Sequence, residues 1–233
     1  MMKIKVGING MGRIGRMIVR SIIENNYPNI EIKHINNRAN TEICSNLLKY
    51  DSIHGKFNAE IKFDDSNLII NNNKITFSQE TDVNKINWKK FGVEYVFECT
   101  GKFNSKDKLL AHLNNGAKKV IVSAPCKGAD KTIVFGVNET NIKKDDNIIS
   151  AASCTTNCLA PVTYVLNEEF EIEKGFMTTI HAFTSDQRIL DNSHKDPRRA
   201  RAASQSIVPT STGASKAIGE IIPSLEGKLE GIA

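Results

Sequence analysis

The sequence predicts an α/β protein: a doubly wound domain followed by a smaller α+β one. Three observations carry that prediction. Strand-like and helix-like segments alternate through the first part of the chain, a glycine-rich turn joins the first strand to the first helix, and beyond about residue 150 the alternation gives way to a helix, a strand and a long polar stretch. With 233 residues, 40% of them hydrophobic and 24% charged, the chain is long enough to bury a substantial core. The change of pattern divides it into residues 1–152 and 153–233.

Lys3 to Asn9 reads as a short buried strand, and Arg13 to Glu24 as a helix with Ile14, Ile18, Val19, Ile22 and Ile23 at helical spacing. A turn at Asn25–Asn29 leads to a second strand, Ile30 to Asn36, so the opening has a βαβ layout. Further strands are expected over 59–63, 68–70, 74–77, 94–99, 119–124, 132–135 and 147–151, with a helix from Ser105 to Asn115 that stops at Gly116. Asn71-Asn72-Asn73 is turn filler. In the second part, Thr155 to Phe170 reads as a helix and Gly175 to Thr184 as a strand. Ser185 to Ile207 is a long Arg-rich segment without clean periodicity, and a last helix runs from about Gly213 to Ile222.

Several function classes are excluded early. No apolar stretch approaches the length of a membrane span, and the first residues run into glycine-rich sequence without a signal-peptide core, so no membrane partner and a cytoplasmic location are expected. The net charge of +5 comes from short basic clusters without interleaved aromatics, which read as solvated faces and not as a nucleic-acid stripe. Five cysteines, at 44, 99, 126, 154 and 158, make an odd count in a chain too large to need staples; they are expected to be reduced thiols, with no zinc-like spacing and no metal site.

Gly10-Met11-Gly12-Arg13-Ile14-Gly15 is G-x-G-x-x-G between a strand and a helix. There the glycines allow a tight turn and close backbone approach to a pyrophosphate, whose charge the helix N-terminus then holds. This predicts a Rossmann-type dinucleotide site. The fingerprint also expects a carboxylate at the end of the second strand to bind ribose hydroxyls, but that strand ends Asn36-Asn37-Arg38. A neutral amide followed by arginine would accept a 2′-phosphate, so the cofactor is read as NAD or NADP, with NADP accepted. The plainer reading of Arg38 is a side chain facing water.

Cys154 stands where an apolar helix begins, a position at which the helix dipole and free N–H groups favour thiolate. Taken alone, a free cysteine is a small buried hydrophobe and a lone histidine is structural. His181, at the end of the following strand, is nevertheless the candidate partner, an imidazole able to take the thiol proton and return it. Cys158, one turn on, reads as packing.

Turn, cysteine and histidine together resemble phosphorylating glyceraldehyde-3-phosphate dehydrogenase, and the likeness runs the length of the chain. It is carried by Asn9–Arg16 (NGMGRIGR), Leu47–Gly55 (LLKYDSIHG), Thr100–Phe103 (TGKF), Ala151–Pro161 (AASCTTNCLAP), His194–Ala203 (HKDPRRARAA) and Pro209–Ala214 (PTSTGA). The resemblance implies Cys154 as nucleophile, His181 as base, and glyceraldehyde 3-phosphate and inorganic phosphate as substrates. It implies cofactor contacts from Asn9, Gly10, Gly12, Arg13, Ile14, Asn37, Arg38, Cys99, Thr100, Gly101, Ser123 and Ala124. For the attacking and substrate phosphates it implies Ser153, Thr155, Thr184, Arg199, Thr212 and Gly213. It also implies that 185–207 is the loop lying beside a neighbouring subunit's cofactor in a homotetramer. Asn37 stands where NAD-specific members carry Asp, and Asn192-Ser193 where they carry Leu-Pro; Ser193 would donate to a 2′-phosphate, so both departures lean towards NADP. Family members run further than Ala233. The α+β catalytic domain is therefore expected to be incomplete, its C-terminal part missing, with poor cofactor binding and little turnover. Two alternatives stand beside this reading: erythrose-4-phosphate dehydrogenase, whose sequence is similar over Ala202–Ile207, and a catalytically inactive truncated homologue.

Overall fold

The structure is a computed structural model that describes residues 3–233. The chain divides into two compact units, one of Met1–Thr132 with Ile142–Ala152 and the other of Ile133–Asn141 with Ser153–Ala233.

The first unit contains β1 (Ile4–Asn9), α1 (Arg13–Glu24), β2 (Ile30–Asn36), α2 (Thr41–Lys49), a small hairpin β3 (Tyr50–Asp51) and β4 (Gly55–Lys56), then β5 (Ile61–Asp64), β6 (Asn67–Ile70), β7 (Asn73–Ser78), β8 (Tyr95–Glu98), α3 (Lys106–Asn114), β9 (Lys119–Val122), β10 (Lys131–Thr132) and β11 (Ile148–Ser150). Nine strands form one sheet in the order β10-β11-β9-β8-β1-β2-β7-β6-β5. Its pairs are parallel except β5 with β6 and β6 with β7. The chain leaves β1 in the middle, winds one way through β2 to β7 and then the other way through β8, β9 and β11. This is the doubly wound α/β expectation met, and it puts a switch point at the carboxyl end of β1.

Alternation along β1 decides what lies on each face. Val6 and Ile8 pack with Val19 and Ile22 of α1 in one core, while Leu109 of α3 joins Val120, Val122 and Ile148 in another. Gly7 faces the indole of Trp88: a Cβ there would lie 2.6 Å from the ring, so only glycine fits the strand against it. Asn71 and Asn72 take positive φ of 46° and 67° between β6 and β7, the two-residue hairpin geometry for which asparagine is suited.

Three expectations are corrected. The helix α2 is absent from the elements expected above; Asn40 caps it by accepting from the Ile43 amide, and Cys44, Ser45 and Leu48 are its buried side. The strand expected over 132–135 ends at Thr132, because the Val134 amide turns to donate to the Asn138 Oδ1. The strand expected from Gly175 to Thr184 ends at Thr178.

The second unit holds α4 (Cys154–Phe170), β12 (Gly175–Thr178), α5 (Ala214–Ile221) and β13 (Leu229–Ile232). β12 has β13 as its parallel partner for four residues, Gly175 opposite Leu229 to Thr178 opposite Ile232. Ser185 to Ile207 is irregular apart from one 3-10 turn at Pro197–Ala200, as its lack of periodicity predicts. No helix among the described residues is long and apolar enough to cross a membrane.

Candidate active site

In the first unit the glycine turn sits at the switch point. Gly10 has φ +97° and lies so close to Thr100 that a Cβ would be 2.9 Å from its amide nitrogen; at Gly15 a Cβ would be 2.0 Å from the Gly10 carbonyl oxygen. Those two contacts let β1, the turn and α1 pack with no side chain between them. Gly12 caps α1 without a side-chain hydrogen bond, and no acidic residue lies in the first turn, so the helix terminus suits an anion.

A cleft of about 490 Å³ opens there, lined by Asn9, Gly10, Gly12, Asn37, Arg38 and Thr100 of the expected residues, with Cys99 beside them. It also takes in Asn36, Glu80, Thr81, Lys102 and Phe103, which the motif does not mark because they come from strand ends and loops distant in sequence. Asn9 is buried, its amide bonded to Glu98 and Asn36. Asn37 is fixed too: its Oδ1 accepts from the Met11 amide at 3.0 Å, and its Nδ2 donates to the Ala39 carbonyl and towards Cys44 Sγ. Arg38 is exposed at the rim. The cleft's size, its helix terminus and its neutral Asn37 fit a dinucleotide.

Other expected contacts lie off this cleft. Arg13 is ion-paired to Asp51 at 2.9 Å and holds that carboxyl well below the usual range; Ile14 is half exposed. Gly101 forms an exposed turn at φ +70°, Ser123 hydrogen-bonds the Cys99 thiol, and the Ala124 carbonyl accepts from Ser150. Burial pushes Cys99 up to about 12.

In the second unit Ser153 caps α4, its Oγ accepting from the Thr156 amide at 3.0 Å, which makes Cys154 the first helical residue. The turn into the cap runs through Ala152 at φ +58°, a left-handed conformation rare for alanine. His181 is not at a strand end but three residues past Thr178, where the chain has left β12. Its Nδ1 lies 2.6 Å from the Ala182 carbonyl and its Nε2 3.1 Å from Cys154 Sγ. A carbonyl only accepts, so Nδ1 carries a proton, and Nε2 is the nitrogen that faces the sulfur. Cys154 is exposed, not the buried hydrophobe a free cysteine commonly is; Cys158 is exposed as well, which overturns its reading as packing.

A second cleft, about 740 Å³, brings together Cys154, Thr155, His181, Thr184, Arg199 and Thr212. Arg199 is ion-paired with Asp186, holding that carboxyl low, and donates to the Ser211 carbonyl. Ser153 and Gly213 lie behind the lining as the caps of α4 and α5. Ser193 sits in the 185–207 segment, its amide donating to Asn192 Oδ1. Among the described residues no group of His, Cys, Asp or Glu is arranged to hold a metal.

Residues 4–106 match the profile of the glyceraldehyde 3-phosphate dehydrogenase NAD binding domain, and residues 153–233 that of the glyceraldehyde 3-phosphate dehydrogenase C-terminal domain. The chain is 50% identical over all 233 residues to the glyceraldehyde-3-phosphate dehydrogenase of Geobacillus stearothermophilus, covering 69% of that protein. It is 50% identical over 233 residues to glyceraldehyde-3-phosphate dehydrogenase 2 of Bacillus subtilis, covering 68% of it, and 49% identical over 232 residues to the Cereibacter sphaeroides enzyme, covering 69%. The chain belongs to the glyceraldehyde-3-phosphate dehydrogenase family. The family places it among the oxidoreductases, with an NAD-binding domain at its N-terminal side, and these relatives favour neither the erythrose-phosphate nor the inactive alternative.

Proposed function

We propose that this chain carries out the phosphorylating oxidation of glyceraldehyde 3-phosphate to 1,3-bisphosphoglycerate with NAD or NADP through a Cys154 thioester. The observation that carries the reading is His181 Nε2 3.1 Å from the Cys154 sulfur, inside a cleft that also holds Arg199, Thr155, Thr184 and Thr212. Cys154 gives its proton to His181 Nε2 as the sulfur adds to the aldehyde carbon, and His181 passes that proton to the aldehyde oxygen, forming a thiohemiacetal. NAD or NADP, when bound, supplies the hydride acceptor. His181, neutral again after that transfer, takes the hydroxyl proton as the thiohemiacetal becomes a thioester. A phosphate oxygen then adds to the thioester carbonyl and the sulfur departs, leaving an acyl phosphate and free Cys154.

Arg199, Thr212 and Thr155 are suited to bind the attacking phosphate and Thr184 the substrate's own, as guanidinium and hydroxyl donors do; Ser153 and Gly213 shape the helix ends behind them. Residues 1–152 act as the dinucleotide domain and 153–233 as the substrate domain. Asn9, Gly10, Gly12, Asn37, Arg38 and Thr100 form the cofactor wall, and Arg13, Ile14, Gly101 and Ser123 support it. A homotetramer, in which Ser193 approaches a neighbour's cofactor, and a cytoplasmic location, favoured by five unpaired thiols, complete the reading.

NADP is accepted because the neutral, internally bonded Asn37 does not repel a 2′-phosphate and Arg38 attracts it. Asn37→Asp is expected to reduce NADP affinity at least tenfold relative to NAD; an unchanged ratio rejects the role of Asn37. For the main reading, incubation with glyceraldehyde 3-phosphate and NAD is expected to add an acyl group to Cys154, seen by intact mass and removed by phosphate. An adduct on another cysteine, or none on a folded chain that binds NAD, rejects it.

A further inference from the structure

The sheet carries a polar row of which the assigned roles use only Asn9. Register sets Ser78 of β7 opposite Asn36 of β2, Asn36 opposite Asn9 of β1, and Asn9 opposite Glu98 of β8, so four adjacent strands bring a polar residue to one level of one face. The side chains join: Ser78 Oγ donates to Asn36 Oδ1, Asn36 Nδ2 to Asn9 Oδ1 at 2.8 Å, and Asn9 Nδ2 to Glu98 Oε2 at 2.6 Å. Asn9, Asn36 and Glu98 are each at most 3% exposed.

Donor chemistry fixes every direction in the row. The Trp88 indole can only donate, and it does so to His112 Nδ1 at 2.9 Å; His112 Nε2 therefore carries the proton and donates to Glu98 Oε2 at 3.0 Å. On the other oxygen, Glu98 Oε1 accepts from both the amide, at 2.8 Å, and the hydroxyl of Thr100, while Thr100 Oγ1 accepts from the Lys102 amide. One enclosed carboxylate thus takes four donors, a set that only an acceptor at both oxygens can satisfy. Burying a carboxylate is costly, and an apolar residue of similar size would serve a core at least as well. What the carboxylate does that an apolar residue cannot is hold the 100–102 turn, and that turn packs directly on Gly10.

We propose that Glu98 is a positioning residue of the cofactor cleft, acting through Thr100 and Asn9 and itself oriented by the His112–Trp88 pair. The proposal rests on the reading of that cleft as the dinucleotide site. In Glu98→Gln either orientation of the amide turns an NH2 towards two donors, so one side of the row is released without loss of volume.

The test is hydrogen exchange and NAD titration on the full 233-residue chain, with circular dichroism to establish that each variant is folded. In Glu98→Gln the amides of residues 100 to 102 are expected to exchange at least tenfold faster while those of β2 and β7 stay within twofold, and NAD affinity to fall at least tenfold. A residue serving stability alone would loosen the whole sheet together. Thr100→Val, which removes one donor and leaves Asn9 and His112 on the carboxylate, is expected to speed exchange at residues 100 to 102 in the same way, and that exchange decides the matter if Glu98→Gln does not fold. Unchanged exchange at the turn, exchange raised evenly across the sheet, or NAD binding within twofold of the parent chain overturns the proposal. If the parent chain does not bind NAD, the cofactor reading fails, and exchange at the turn alone then decides whether Glu98 positions it.

Discussion

The two clefts are built from opposite materials. The dinucleotide cleft is walled by strand ends whose side chains are enclosed and bonded to one another, so that Asn9, Asn36, Asn37 and Thr100 are each held by at least one side-chain hydrogen bond. The thiol cleft is walled by a helix terminus and irregular chain: Cys154 and His181 are exposed, and Ile180 and Ile207 beside them are each 87% exposed. A cofactor site that recognises shape gains from walls set in advance by sheet register. A nucleophile has to be reached by its substrate, so its geometry rests on a few local contacts, chiefly the Ser153 cap and the Nε2–sulfur pair.

That contrast can be broken most severely at the sulfur. Cys154→Ser is expected to abolish the acyl adduct, and His181→Asn to slow alkylation of Cys154 by about 100-fold, within the usual range for losing a general base. Iodoacetamide footprinting by mass spectrometry checks both, and an unaltered rate in the His181 variant rejects the pairing. In the parent chain Cys154 is expected to react ahead of Cys44, Cys99 and Cys126, each of which burial pushes up.

Gly15→Ala strikes the enclosed site. With backbone oxygen 2.0 Å from the new Cβ, the helix has to move off the turn, at a cost of about 3 kcal/mol, and urea unfolding should show it. Retention of full stability would mean that the turn is softer than its contacts suggest.

The enclosed unit also has a pH signature. His34 stacks on Phe91 at 3.7 Å and lies against Thr76 and Ser78; burial, and after it the charge of Lys90, pushes the ring down to about 4. The fold keeps His34 neutral, whereas the unfolded chain takes up a proton near pH 6.5. The resulting stability is whole above pH 6.5 and lost as pH falls towards 4, with a ceiling of about 3 kcal/mol. Urea midpoints at pH 7 and pH 5 should draw together in His34→Gln; equal pH slopes in both proteins reject this origin.

The smallest effect is expected at the cap of α4. Ser153→Ala removes the bond to the Thr156 amide at a cost of about 1 kcal/mol and should slow Cys154 alkylation only slightly, as thermal denaturation and the same footprint would show. A loss as large as that at Gly15 would make the exposed site as dependent on its frame as the enclosed one.

Much of this was legible beforehand because the signals are local. α1 and β2 follow from apolar spacing and from glycine and proline punctuation, and α4 from its apolar run, although its Ser153 cap was not read. Where the reading failed, the cause was a partner outside the segment. The stretch after Thr178 has strand-like composition but leaves β12 and turns so that His181 meets Cys154, and 133–135 is drawn out of the sheet by Asn138. The α2 helix was missed although Asn40 and the spacing of Cys44 and Leu48 could have marked it. Glu98 and His112 carried no motif.

By itself the sequence determined the periodicities, the glycine turn, the cysteine at a helix start and, through its long shared segments, the family. Only the tertiary structure decided which nitrogen of His181 faces the sulfur, that Arg13 turns to Asp51 instead of lining the cleft, and that Glu98 gathers donors from β1, α3 and the Thr100 turn. The reason is physical: spacing along a chain fixes which way a side chain points from its own element, but a hydrogen bond's direction depends on what the opposite group can give or accept. Those opposite groups arrive from strands and helices far away in the chain.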